Sequence, residues 1–140
     1  MCIIVDANCA HLLKADNCDG VPVLNCLLRG KGRLFVSTTL LKELNLTHLG
    51  KTILILQQAG KITRADDAIC TAKAEELKLA NVLKSNDAHV VALTIITSCP
   101  IVVSRDKPLH KDLRNRDLLG KQCSIYQNAK HAHLLERHCK

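Results

Sequence analysis

Three short runs along this chain hold unbroken apolar stretches, CIIVD, LFVS and PIVVSRD, and the more polar QCSIYQ reads as a fourth of the same kind. Runs of this length, bounded by turn residues, read as strands, and their lack of polar alternation suits a sheet covered on both faces. Between them the apolar positions recur at helical spacing. A helix is expected from 7 to about 14, then a turn at ADNCDG and a second helical piece over 22–28. After the turn RGKGR and the LFVS strand, TTLLKELNLTHLG reads as a helix with Ser37 or Thr38 as its N-cap. TILILQQAGKI is ambiguous, its length favouring a helix and its β-branched start permitting a strand. ADDAICTAKAEELKLANVL carries acids in its first turn, where the helix dipole favours them. Ser85-Asn86-Asp87 opens the buried helix of NDAHVVALTIIT, and NAKHAHLLERHCK reads as a terminal helix.

Strands separated by helices of this length predict parallel βαβ units, hence an α/β chain folded as one domain over 1–140. No linker, repeat or low-complexity tract interrupts it. In such sheets ligands gather outside the carboxyl ends of the strands. Asp6 and Asp106 stand at two of those ends, Asp87 opens the helix that feeds the Asp106 strand, and Glu43 lies in the helix after LFVS. All four acids are within reach of one rim.

Composition narrows the chemistry. Hydrophobic residues make up 47%, yet Phe35 and Tyr126 are the sole aromatics, so the core is built from Leu, Ile, Val and Ala. A reader of single strands that stacks bases on aromatic platforms is disfavoured. The formal charge of +7 is uneven: residues 1–100 hold 11 basic and 9 acidic residues, residues 101–140 hold 9 and 4. The basic last third invites a polyanion such as nucleic acid. Eight cysteines show no CxxC pair, zinc-module spacing or compact disulfide framework. With no basic leader and no run long enough to span a membrane, a reducing cytoplasm with mostly buried thiols is expected.

Taken singly, Asp6, Asp87 and Asp106 read as helix caps and Glu43 as a solvated helix residue. Together they pose an electrostatic problem, because converging carboxylates repel one another. A Mg²⁺ or Mn²⁺ ion resolves it, since hard divalent ions take oxygen ligands and bind through a few carboxylates plus substrate phosphate. Such a centre suits phosphodiester hydrolysis.

Four stretches then carry a resemblance over almost the whole chain. IIVDAN, LFVSTTLLKEL, SNDAHVVALTIIT and IVVSRD are similar, in this order, to the conserved segments of the PIN-domain family of metal-dependent nucleases. The resemblance implies a three-layer α/β/α sandwich around a mainly parallel sheet. Asp6, Glu43, Asp87 and Asp106 would line its acidic pocket as catalytic residues and ligands for Mg²⁺ or Mn²⁺. Asn8, Ser104 and Ser37 or Thr38 would support them, with capping an equally open reading for each. The chain departs from the family at Leu109, where many members carry a further acid; His110 and Asp112 are out of register. A second metal is thereby put in doubt.

Arg105, Lys107, Lys111, Arg114 and Arg116 crowd the segment after Asp106 and are expected to hold RNA phosphates beside the pocket, or to form a solvated charged loop. His89 reads as a partly exposed histidine within reach of substrate. His131, His133, His138 and Cys139 fit a docking helix better than any zinc spacing. The expected function is RNA hydrolysis, with RNA as substrate and an inhibitory antitoxin protein as a partner, since small stand-alone PIN proteins are often toxins of toxin–antitoxin pairs. A homodimer is left open. The competing readings are a non-catalytic PIN-like module that binds RNA or protein and a phosphoacceptor receiver. The receiver needs an acidic pair where VDAN supplies one acid.

Overall fold

The structure, a computed structural model, describes residues 2–120 and 123–138. Five parallel strands form one sheet in the order β3-β2-β1-β4-β5. They are β1 (Cys2–Val5), β2 (Arg33–Val36), β3 (Ile62–Arg64), β4 (Ile101–Val103) and β5 (Ser124–Tyr126). Helices cover both faces, giving the three-layer α/β/α sandwich. Among the described residues no helix is long and apolar enough to cross a membrane.

A 3₁₀-helix, Ala7–Leu12, replaces the α-helix expected after β1, and α1 spans Val21–Leu28. Its N-cap Gly20 lies against the backbone of Leu12, where a Cβ would stand 1.6 Å from the carbonyl oxygen. Only glycine fits that approach. The helix expected over TTLLKELNLTHLG stops early, as α2 (Thr38–Asn45), and a separate helix, α3 (Gly50–Gln58), follows. Thr47 breaks it: its hydroxyl donates to the carbonyl of Leu44 at 2.5 Å and accepts from the N–H of Leu49 at 3.2 Å, replacing helical bonds with side-chain ones. TILILQQ is therefore helical. The edge strand β3 just beyond it leaves almost no hydrophobic pattern, since Ile62 and Thr63 are half-buried and Arg64 is exposed.

The second half runs α4 (Asp67–Ala80), α5 (Ala88–Thr97), α6 (Lys107–Arg114), α7 (Arg116–Leu119), a 3₁₀ turn at Ala129–His131 and α8 (Ala132–His138). The segment after Asp106 is thus helical rather than a charged loop. Of the QCSIYQ run, Gln122 lies outside the described residues, and the rest supplies β5. Helix α5 contacts α4, α6 and α7, while α8 packs on α1. Six residues of α5 are buried, as its near-absence of polar positions requires. The core is aliphatic, with the buried Tyr126 as its one large aromatic. Of the free cysteines, Cys9, Cys70, Cys99 and Cys123 are buried, Cys2 is half-buried and Cys18 is exposed.

One topological feature positions the site. From β1 the chain crosses over toward β2, whereas β4, on the other side of β1, connects onward to β5. Successive connections therefore leave the adjacent ends of β1 and β4 in opposite directions, opening a crevice at their carboxyl ends. Register places Val5 opposite Val103, so Asp6 and Ser104 come side by side at its mouth.

Candidate active site

The peptide N–H of Asp6 donates to the Val103 carbonyl at 2.9 Å, extending the β1–β4 ladder by one residue. That fixes Asp6 at the rim, and its side chain is 2% exposed. Its two carboxylate oxygens are held separately: Oδ1 accepts from the backbone N–H of Asn8 at 3.2 Å, and Oδ2 from the Ser104 hydroxyl at 3.2 Å. Ser104, fully buried, also accepts from the N–H of Asp106 at 3.1 Å. One hydroxyl thus couples two of the acids. Asn8 contributes its backbone, while its side chain belongs to an exposed residue.

Asp87 and Asp106 occupy the N-cap positions of α5 and α6, yet neither makes a side-chain capping bond. Other polar N-cap residues, Ser37, Asp66, Asn115 and Asn128, each accept from their own helix, while Gly20 and Leu49 have no side chain that could. The two acids instead turn toward each other. Burial first, then the charges of Asp6, Asp106 and Glu43 and a hydrogen bond with the Asp106 carboxyl, push Asp87 up to about 6. Burial is also the largest cause of the upward shift at Asp6, opposed by its bonds from Asn8 and Ser104 and reinforced by Asp106. A carboxyl–carboxyl contact of this kind needs a shared proton when no cation is present.

Glu43 stands at the edge of this group. Its Oε1 lies 2.8 Å from Nε2 of His89, which sits in the first turn of α5. The other ring nitrogen, Nδ1, is buried without a hydrogen-bond partner among the described residues. This pairing was missed in the sequence, since nothing in the spacing of 43 and 89 links them. A cavity of about 240 Å³ with a mixed polar and apolar wall adjoins His89, lined among others by Ser37, Thr38, Asp67, Cys70 and Asn86. Thr38 does not reach the acids: its hydroxyl bonds Asp67 at 2.5 Å. Ser37 is the N-cap of α2, accepting from Leu40 at 3.1 Å.

Among the described residues no group of three or more His, Cys, Asp or Glu side chains is gathered closely enough to enclose a metal ion. The donor chemistry nonetheless fits Mg²⁺ or Mn²⁺. Every candidate donor is a carboxylate oxygen, and Mg²⁺ is held by one or two carboxylates plus waters and phosphate rather than by a closed protein cage. Burial and then mutual repulsion raise Asp87, and that repulsion is what a bound cation would relieve. Leu109 is fully buried, so its side chain adds no ligand.

Two residues near the missing acid serve structure instead. Asp112, 1% exposed, turns away from the site and accepts from the backbone of Lys84 and Ser85, anchoring the loop that ends at Asp87. The Nε2 atom of His110 lies 2.8 Å from the Ser104 carbonyl, bracing the strand end from beneath.

The expected basic patch is divided. Arg105 points away from the acids, donating to Asp19 at 3.1 Å and to the Gln127 carbonyl at 3.0 Å. Lys107 and Lys111 are exposed on α6, whereas Arg114 and Arg116 lie at its far end, beside Ser124 at the start of β5. The C-terminal histidines bond to backbone: His131 accepts from Gln127, and His133 donates to Lys130. Cys139 lies outside the described residues.

A scan against protein-family models finds no match, and neither does a search of curated proteins. Among solved structures the chain is similar to a chain of VapBC2 from Rickettsia felis, solved bound to a DNA fragment from their promoter. The TM-score is 0.54 at 13% identity, over 91% of this chain and 99% of that one. At that identity the likeness speaks for the fold, and it agrees with a PIN-like α/β architecture.

Proposed function

We propose that this protein is a Mg²⁺- or Mn²⁺-dependent endoribonuclease whose catalytic group is Asp6, Asp87, Asp106 and Glu43. The observation that carries this reading is the pair of N-cap acids, Asp87 and Asp106, that leave their helices uncapped and face each other at the switch point of the sheet. A structural role predicts capping bonds there, and both are lacking. When bound, the ion supplies charge neutralisation for the phosphate and lowers the pKa of attacking water. The chain's own part is positional. Ser104 and the Asn8 backbone hold Asp6 fixed, Ser104 also holds the backbone of Asp106, and Asp87 is presented from the N-cap of α5. Glu43, held by His89, stands within range to orient water. Lys107, one residue beyond Asp106, offers a cation for a flanking phosphate.

The likeness to a chain of VapBC2 supports, at the level of fold, a place in a toxin–antitoxin pair, with an inhibitory antitoxin as the protein partner. The test is cleavage of a mixed RNA pool with Mn²⁺ and then with EDTA, using wild type, Asp6→Asn and Asp106→Asn. Cleavage that stops with EDTA and in both variants supports the reading. Cleavage that survives either would return the acids to a structural role. A protein that binds Mn²⁺ and RNA without cutting is instead a binding module, with the acid lacking at Leu109 as the reason.

A further inference from the structure

The basic residues of α6 form a track rather than a patch. Lys107, Lys111 and Arg114 stand at i, i+4 and i+7, one exposed face of the helix, while Leu109, His110, Asp112 and Leu113 fill its buried side. At 1.5 Å per residue the stripe covers about 10 Å, starting beside Asp106 in the acid cluster. It ends where Arg114 and Arg116 flank a cavity of about 350 Å³, with Ser124, His131 and His133 on the wall. Ser124 pairs with Ile101, the first residue of β4, so this cavity lies at the amino edge of the sheet, opposite the acids.

Its chemistry is that of an anion site. No carboxylate is among the described residues that line it. Neither arginine makes an ion pair or side-chain hydrogen bond among the described residues, whereas Arg105 makes both. The Gln127 N–H points at Nδ1 of His131 at 3.0 Å, which leaves the ring proton on Nε2 as a further donor. Two unpaired guanidinium groups around a concavity match phosphate oxygens, which they bind as planar forks. The lack of any exposed aromatic platform argues for contact with backbone rather than bases.

We infer that this cavity is a distal anchor for RNA phosphates, reached by a strand that leaves the acid cluster along α6. The inference rests on the RNA reading above and adds a length requirement to it: short RNAs reach the acids alone, and longer ones reach both ends of the helix. Contacts of this kind set register and affinity without reading sequence.

The experiment is fluorescence anisotropy with unstructured RNAs of about 4 and about 12 nucleotides, lengths at the two ends of single-strand site sizes. It is run in EDTA so that nothing is cut, on wild type and on the Arg114→Ala/Arg116→Ala double variant. Both residues are exposed, so the fold is retained. For the longer RNA, losing two phosphate contacts lowers the salt slope by about 1.4 and affinity roughly tenfold near 0.1 M salt, with a much smaller loss for the shorter RNA. Equal losses at both lengths, or none, overturn the anchor, as does an acidic peptide that competes for the arginines better than RNA. A protein that cleaves with Mn²⁺ but ignores the double substitution sinks the anchor alone. One that binds long RNA through the arginines and never cleaves sinks the nuclease reading alone.

Discussion

Asp112 accepts three hydrogen bonds from the loop before α5: from the N–H groups of Lys84 and Ser85 at 2.7 and 2.9 Å, and from the Ser85 hydroxyl at 2.6 Å. Ser85 in turn lies 3.4 Å from the N–H of Asp87. A buried carboxylate thus sets the approach of a site acid without touching the site. Asp112→Ala leaves buried donors unpaired and is expected to cost about 3 kcal/mol. Asp112→Asn keeps one acceptor and should cost less. Denaturant midpoints decide it, and an Asp112→Ala midpoint equal to wild type would remove Asp112 from this role.

The raised pKa values of Asp87 and Asp6 give metal-free stability a direction. A carboxyl whose folded pKa exceeds its unfolded value binds its proton more tightly when folded. Its contribution is complete below the unfolded value near 3.8 and is lost as pH rises through about 6, the folded value for Asp87. Thermal melts in EDTA should therefore show the cluster's contribution falling between roughly pH 4 and pH 6.5. Asp87→Asn, which carries no titrating group, should flatten that decline relative to wild type. Identical profiles for the two proteins would mean that the carboxyls do not interact.

Cation binding acts on the same repulsion. At 100-fold excess over its Kd, Mn²⁺ should stabilise the native protein by about 2.7 kcal/mol. Asp106→Asn should lose most of that gain, although its own metal-free stability should equal or exceed that of wild type because one repelling charge is gone. A full Mn²⁺ shift in Asp106→Asn, read by differential scanning fluorimetry, would place the ion elsewhere.

The contact between His89 and Glu43 predicts a kinetic signature. His89→Ala removes a buried ring nitrogen that lacks a partner, so stability should change by no more than about 1 kcal/mol. Freed from its partner, Glu43 loses a fixed position, and kcat for RNA cleavage should fall by about tenfold or more with KM little altered. His89→Gln restores a donor and should recover part of the loss. A matched fall in kcat and rise in KM would instead make His89 a substrate contact.

The residues that were legible in the sequence are those whose position follows from local pattern. CIIVD and PIVVSRD announce buried strands, and parallel strands put Asp6 and Asp106 at one rim. Buried α5 was readable because ten nearly apolar residues follow a Ser-Asn-Asp start. What the pattern did not carry was pairing across long separations. Asp112 looked like an acid out of register, since nothing in KPLHKDLR says that its side chain crosses to Ser85. The basic segment looked like one patch, because a linear run of charges hides the length of the helix that separates Lys107 from Arg116. The edge strand at Ile62–Arg64 was lost for a different reason: half-exposed strands lack the apolar signature that burial imposes.

The bond from Ser104 to Asp6 joins residues 98 positions apart. Before β4 pairs with β1, Asp6 and Asp106 are tethered by a loop of nearly the whole chain, and closing such a loop is entropically costly and slow. The acid cluster is therefore a late product of folding, absent from any chain still emerging during synthesis until β4 has docked. Whatever chemistry these four acids perform is thereby withheld from the chain until its last third has joined the sheet.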